Sequence, residues 1–198
     1  MNRKWKFLFF VITLLFLLSC SDEKEKIHLT DSAVILAFGD SLTYGTGVAP
    51  EQSYPAQLAK LTGKSVINAG VPGEVTEKGL ERLLDVLNKH HPQLVILCHG
   101  GNDLLRKLNI EQLESNLSTM IDMIQQSGAK VLLVSVPKPG LLLNASPVYL
   151  RVAQDKDIAI ENDIMAEVES KADWKSDPIH PNAIGYKKIA EKLASWID

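Results

Sequence analysis

The sequence predicts an α/β protein built on a doubly wound parallel sheet, and three observations carry that expectation. From Ile35 onward, short apolar runs alternate with amphipathic stretches, which is the pattern of repeated βα units. The first run, Ala33-Val34-Ile35-Leu36-Ala37-Phe38, is apolar without alternation, as suits a strand buried on both faces in the middle of a parallel sheet. Small polar clusters stand just beyond several of the runs, at the carboxyl ends where open α/β sheets place their ligands.

Taken in order, strands are expected near 33–38, 65–68, 94–98, 130–136 and 157–161. Helices fill the gaps. The first covers Pro55 to Leu61, its start delayed by Tyr44-Gly45-Thr46-Gly47. In the second, Leu80, Leu83, Leu84 and Leu87 recur at helical spacing, so one leucine stripe is expected to face the sheet. His90-His91-Pro92 ends it, because the residue before a proline disfavours helical geometry. The third places Ile110, Leu113, Leu117, Met120, Ile121 and Ile124 on one face and stops before Gly128. Lys138 to Tyr149 reads as a loop with an apolar tip at Leu141-Leu142-Leu143. A last helix starts near Asn182 or Ala183 and is expected to bury Ile189, Leu193, Trp196 and Ile197.

The chain has 198 residues, 45% hydrophobic and 23% charged, which suits one globular domain with a sizeable core. A net charge of -3 with no basic stripe argues against nucleic acid as a partner. The first residues are of another kind. Arg3, Lys4 and Lys6 precede an apolar stretch, Phe7 to Leu18, too short to span a bilayer comfortably, and Ser19-Cys20 closes it. Residues 1–19 therefore read as a secretion signal. Leu17-Leu18-Ser19-Cys20 resembles a bacterial lipobox, in which cleavage leaves Cys20 as a lipidated terminus; an uncleaved anchor or an ordinary secreted protein is the alternative. Residues 20–31 then form a lipidated, solvated tether, and 32–198 the domain. Ser21 after the cysteine is compatible with outer-membrane sorting, so an exported envelope lipoprotein is expected, on the outer rather than the inner membrane. With Cys20 so used, Cys98 has no disulfide partner and is expected to be a buried, inert thiol.

Four polar clusters fall at one edge of the expected sheet: Gly39-Asp40-Ser41-Leu42, Asn68-Ala69-Gly70, His99-Gly100-Gly101-Asn102-Asp103 and Asp177-Pro178-Ile179-His180-Pro181. A serine hydroxyl is a poor nucleophile until a neighbouring base takes its proton, and that base needs a third group to orient it. Histidine three residues after aspartate lets one proline-stiffened loop present both. Attack on an acyl carbon also makes an oxyanion, for which the Ser41 N–H, a Gly70 N–H and the Asn102 amide are candidate donors. Each cluster alone reads equally well as a turn or a cap.

Together, these four blocks resemble the SGNH hydrolases, also called the GDSL esterase/lipase family, from about Ile35 to the C-terminus. The resemblance implies a three-layer α/β/α sandwich around five parallel strands, the flavodoxin-like arrangement. It implies Ser41 as nucleophile, His180 as base and Asp177 as orienting acid, with Ser41, Gly70 and Asn102 forming the oxyanion hole. Length, the Gly73-Glu74-Val75-Thr76 turn and the Gly-Gly-Asn-Asp block are most similar to the exported bacterial thioesterase, lysophospholipase and arylesterase branch. The segment 138–149 is short for that branch.

Other enzyme classes fit less well. A metal-dependent phosphoesterase shares the Gly39-Asp40 and Gly101-Asn102-Asp103 blocks but needs more ligands than the chain supplies. The α/β-hydrolase elbow requires glycine where Thr43 stands, and Gly45-Thr46-Gly47 completes neither a Walker nor a Rossmann pattern. A non-enzymatic lipoprotein of the same fold is the remaining alternative. The expected protein is thus a monomeric, lipid-anchored serine hydrolase of small acyl esters, with thioesters and lysophospholipids as further candidates, needing no metal or organic cofactor.

Overall fold

The computed structural model describes residues 26–138 and 146–198. The expected signal segment, Cys20 and the Leu141–Leu143 loop tip lie outside the described residues.

Five strands form one sheet: β1 (Val34–Gly39), β2 (Ser65–Gly70), β3 (Leu94–Cys98), β4 (Lys130–Val134) and β5 (Ala159–Glu161). All neighbours pair in parallel in the order β2-β1-β3-β4-β5. The continuous apolar runs of β1 and β3 sit in the interior of the sheet, where Ile35 to Phe38 and Leu94 to Cys98 are fully buried.

The helices are α1 (Ser41–Tyr44), α2 (Tyr54–Thr62), α3 (Thr76–His90), α4 (Gly101–Leu105), α5 (Ile110–Gln126), α6 (Pro147–Lys156), α7 (Ile164–Ser170) and α8 (Ala183–Ala194). Right-handed crossovers decide their layer. The connection β1-α2-β2 runs one way along the sheet, and those through α3, α5 and α6 run the other way. Accordingly α2 packs with α8, which also packs with α7, while on the other face α5 packs with both α3 and α6, giving three layers. The direction in which strands are added reverses between β1 and β3, and a crevice opens there at the strands' carboxyl ends.

Register brings the functional loops together. Gly39 is opposite Gly70 on one side and Cys98 on the other, so the loops leaving β1, β2 and β3 start level with one another.

Four expectations need correction. In α3, Leu83 and Leu87 are buried but Leu84 is 54% exposed, because the sheet-facing line runs through Gly79, Leu83 and Leu87. Ile110 stands at the first turn of α5, beyond the packed face, and is exposed. Segment 138–149 is not all loop: α6 begins at Pro147, with Val148, Tyr149, Val152 and Ala153 on its buried face. Finally, the domain begins before residue 32. Ile27 is buried and pairs with Ile197 across the chain ends, its N–H donating to the Trp196 carbonyl at 2.7 Å.

Candidate active site

Strand β1 stops at Gly39, where a Cβ would run into the Cys98 carbonyl of β3. Asp40 follows as the cap of α1, its Oδ1 accepting the Leu42 N–H at 3.0 Å. Ser41 is therefore the first residue of a helix raised directly off the sheet edge, and its N–H has no intrahelical acceptor.

The opposing loop holds its own shape. Asp177 Oδ1 accepts the backbone N–H groups of Ile179 and His180, both at 2.8 Å. The Ser176 N–H donates to the His180 carbonyl at 2.9 Å, and Asn182 caps α8 through Ile184 and Gly185. This leaves Asp177 Oδ2 2.7 Å from His180 Nδ1, and His180 Nε2 3.1 Å from Ser41 Oγ. Partial desolvation works to raise the Asp177 carboxyl, but the hydrogen bonds from the His180 backbone and ring outweigh it and hold it at about 2. An ionised carboxylate can only accept, so Nδ1 carries the imidazole proton and the Nε2 lone pair faces the serine hydroxyl.

Ser41, His180, Asn102 and Gly73 line one cleft of about 490 Å³, with Pro72, Leu105, Val136, Pro137 and Ile179 forming much of its apolar wall. Asn102 Nδ2 donates to the Glu74 carbonyl at 3.0 Å and, at a longer 3.3 Å, to Asp40 Oδ2. Burial pushes the Asp40 carboxyl above its ordinary value, against the pull of His99 and its own Leu42 hydrogen bond.

Gly70 does not join this group. Its N–H already donates to Asn68 Oδ1 at 3.0 Å, and its Cα packs so closely on the Tyr44 backbone that no Cβ would fit. Its need for glycine comes from packing. The glycine that faces the cleft is Gly73, in the turn after β2, with φ +76 and an N–H bonded to no acceptor among the described residues. Gly70 ends β2 and Gly73 stands three residues on in the turn that follows, and sequence spacing did not separate a close-packed glycine from a cleft-facing one.

Other residues support the site. Asp103 accepts from the Thr76 N–H at 3.0 Å and the Thr76 hydroxyl at 2.6 Å, capping α3 from outside the helix. Buried His99 and Glu74 form a cluster with the half-buried Arg82 that the sequence did not reveal. A signal was available: Gly79, Arg82, Leu83 and Val86 share one face of α3, which puts an arginine beside the sheet-facing line. Cys98 is fully buried, and burial pushes its thiol well above the ordinary range, so it is inert.

A nucleophile-base-acid chain at the switch point of a 2-1-3-4-5 sheet defines a serine hydrolase class. The profile of the GDSL-like Lipase/Acylhydrolase family matches residues 37–188. The thioesterase 1/protease 1/lysophospholipase L1 of Escherichia coli is 33% identical, over 82% of each chain. An arylesterase of Vibrio mimicus is 32% identical, over 82% of this chain and 87% of that one. The solved structure of TesA superposes with a TM-score of 0.73 at 29% identity, covering 81% of this chain and 95% of the other. The chain belongs to the GDSL/SGNH lipase-acylhydrolase family and is a carboxylic ester hydrolase, which sets aside the metal-dependent phosphoesterase.

Proposed function

We propose that this protein cleaves small acyl esters through an acyl-enzyme, with Ser41 as nucleophile, His180 as general base and Asp177 as the acid that orients it. The observation that carries this is the unbroken chain from Asp177 Oδ2 to His180 Nδ1 at 2.7 Å and from His180 Nε2 to Ser41 Oγ at 3.1 Å. Ser41 Oγ attacks the acyl carbon as its proton passes to Nε2. The Ser41 N–H, the Gly73 N–H and the Asn102 amide take the developing oxyanion, the last by exchanging its long contact to Asp40. His180 then gives the proton to the leaving group, and water repeats the sequence to release the acid.

Thioesters and lysophospholipids belong to the same proposal, supported by the name of the Escherichia coli relative and by the cleft's apolar wall. No step uses a metal or organic cofactor. The site is complete within one chain, so a monomer suffices. For location, an exported lipoprotein held at Cys20 on the outer membrane fits the basic and apolar N-terminus. No helix among the described residues is long and apolar enough to cross a membrane.

Hydrolysis of p-nitrophenyl esters by the chain from Ser21 onward tests the chemistry. Ser41→Ala should lower kcat by about 10³-fold or more; undiminished turnover would remove Ser41 from its role. An acyl-length series against esters, thioesters and lysophospholipids then ranks substrates. Cys20→Ser in the full chain should release the protein from the membrane fraction, and retention there would overturn the anchor.

A further inference from the structure

Three strand ends must be held level for the proposed oxyanion donors to converge, because Ser41 follows β1, Gly73 follows β2 and Asn102 follows β3. One cluster, buried at His99 and Glu74 and half-buried at Arg82, touches all three ends. The Arg82 guanidinium grips the Glu74 carboxylate with two hydrogen bonds, Nε to Oε1 at 2.7 Å and Nη2 to Oε2 at 2.6 Å. The same Nη2 donates to the Ala69 carbonyl of β2 at 2.9 Å and to the Gly39 carbonyl of β1 at 3.3 Å. Its carbon sits 4.0 Å from the centre of the Phe38 ring, which adds a cation-π contact to β1.

His99 completes the circuit at β3. Its Nδ1 accepts the Gly100 N–H at 2.9 Å, so the ring proton is on Nε2, which donates to Glu74 Oε2 at 3.1 Å. Gly100 opens the turn into α4, which carries Asn102, and the Asn102 amide returns to the Glu74 carbonyl. The histidine is fully buried and the glutamate side chain 6% exposed, so these bonds are shielded from competing water. Burial works to raise the Glu74 carboxyl, yet its bonds to His99 and Arg82 hold it below its ordinary value. The fit around the imidazole is tight: α3 passes it at Gly79, where a Cβ would strike Nε2.

We infer that Arg82, Glu74 and His99 are positioning residues that set the oxyanion hole, aligning the Gly73 turn and the Asn102 amide from beneath the cleft. The inference rests on the acyl-enzyme reading above. None of the three reaches the reacting atoms; they act through Gly73 and Asn102. Losing such a role lowers transition-state stabilisation with little effect on ground-state binding, whereas losing a purely structural role would lower the amount of folded protein.

The test is a double-mutant cycle on ester hydrolysis, with thermal unfolding followed in parallel. Glu74→Gln should lower kcat about 10–100-fold with KM within about threefold, since small misplacements of donors carry penalties of that size. In an Asn102→Ala background, itself down about 10²–10³-fold, the further loss from Glu74→Gln should shrink to about threefold or less, because coupled residues are not additive. Equal fold losses in both backgrounds, or a kcat for Glu74→Gln within twofold of the wild type, would overturn the inference. If Glu74→Gln does not fold, Arg82→Lys takes its place under the same criteria, keeping the charge but losing the fork. Absence of Ser41-dependent hydrolysis in the wild-type protein would instead overturn the underlying reading, and this inference with it.

Discussion

Glu169 and Asp177 show how two carboxyl groups near one cleft acquire opposite pH behaviour. Glu169, in the cleft wall, is pushed from its ordinary 4.5 to about 7 by burial, with Lys175 only partly offsetting this. Asp177 is held at about 2 by donors that favour its ionised form. The signs follow by linkage. The folded chain keeps a Glu169 proton that the unfolded chain has released, so stability from this group is lost as pH rises from about 4.5 through 7. For Asp177 the stabilisation is present above about 4 and disappears as pH falls toward 2. Glu169→Gln should therefore remove a destabilising slope. Its melting temperature, measured against the wild type from pH 5 to 8, should gain progressively up to about pH 7 and then level off. A constant difference across that range would show that Glu169 does not titrate as its surroundings imply.

At the level of elements, α3 is both the main support beneath the cleft and the place where helical periodicity misled most. Leu83 is fully buried and Leu84 is 54% exposed, although both fit a leucine stripe in the sequence. Leu83→Ala should cost about 2–5 kcal/mol through lost burial and a residual cavity, while Leu84→Ala should stay within about 0.5 kcal/mol; urea unfolding of the two variants separates them. The contrast marks a limit of periodicity. A spacing of three or four residues selects a broad face, and only the partner across the interface decides which flank of it is covered. Strands β1, β3 and β4 were legible because buried parallel strands are continuous apolar runs, and the Ser41, His180 and Asp177 cluster because four separated blocks had to share one sheet edge. Helix α6 was not, even though Val148, Tyr149, Val152 and Ala153 have helical spacing, because Pro139 and Gly140 drew the whole segment into a loop. The exchange of Gly70 for Gly73 has a similar origin: the two glycines are three residues apart at the end of β2 and just beyond it, and only packing shows that one accommodates the Tyr44 backbone and the other faces the cleft.

For the whole molecule, the two ends of the described chain are tied together at the sheet edge opposite the cleft. The Ile27 N–H donates to the Trp196 carbonyl at 2.7 Å, and its own carbonyl accepts the Asp198 N–H at 3.2 Å. The Leu29 N–H reaches the Asp198 carbonyl, and Lys130 Nζ, at the start of β4, donates to the His28 carbonyl at 3.1 Å. Residues 26–31, expected to belong to the solvated tether, are thus a strap that closes the amino end of the sheet, while all the proposed chemistry stands at the carboxyl end. Burying an isoleucine such as Ile27 contributes about 1.5–3 kcal/mol. A chain starting at Ala33 should accordingly melt on the order of 5 °C or more below one starting at Ser21, given about 2–4 °C per kcal/mol for a domain of this size. Its kcat per folded molecule should match, because no residue of 26–31 lines the cleft. An equal melting temperature would show that the strap adds nothing to the fold, and a lower kcat at full folding would show that the two edges of the sheet are coupled.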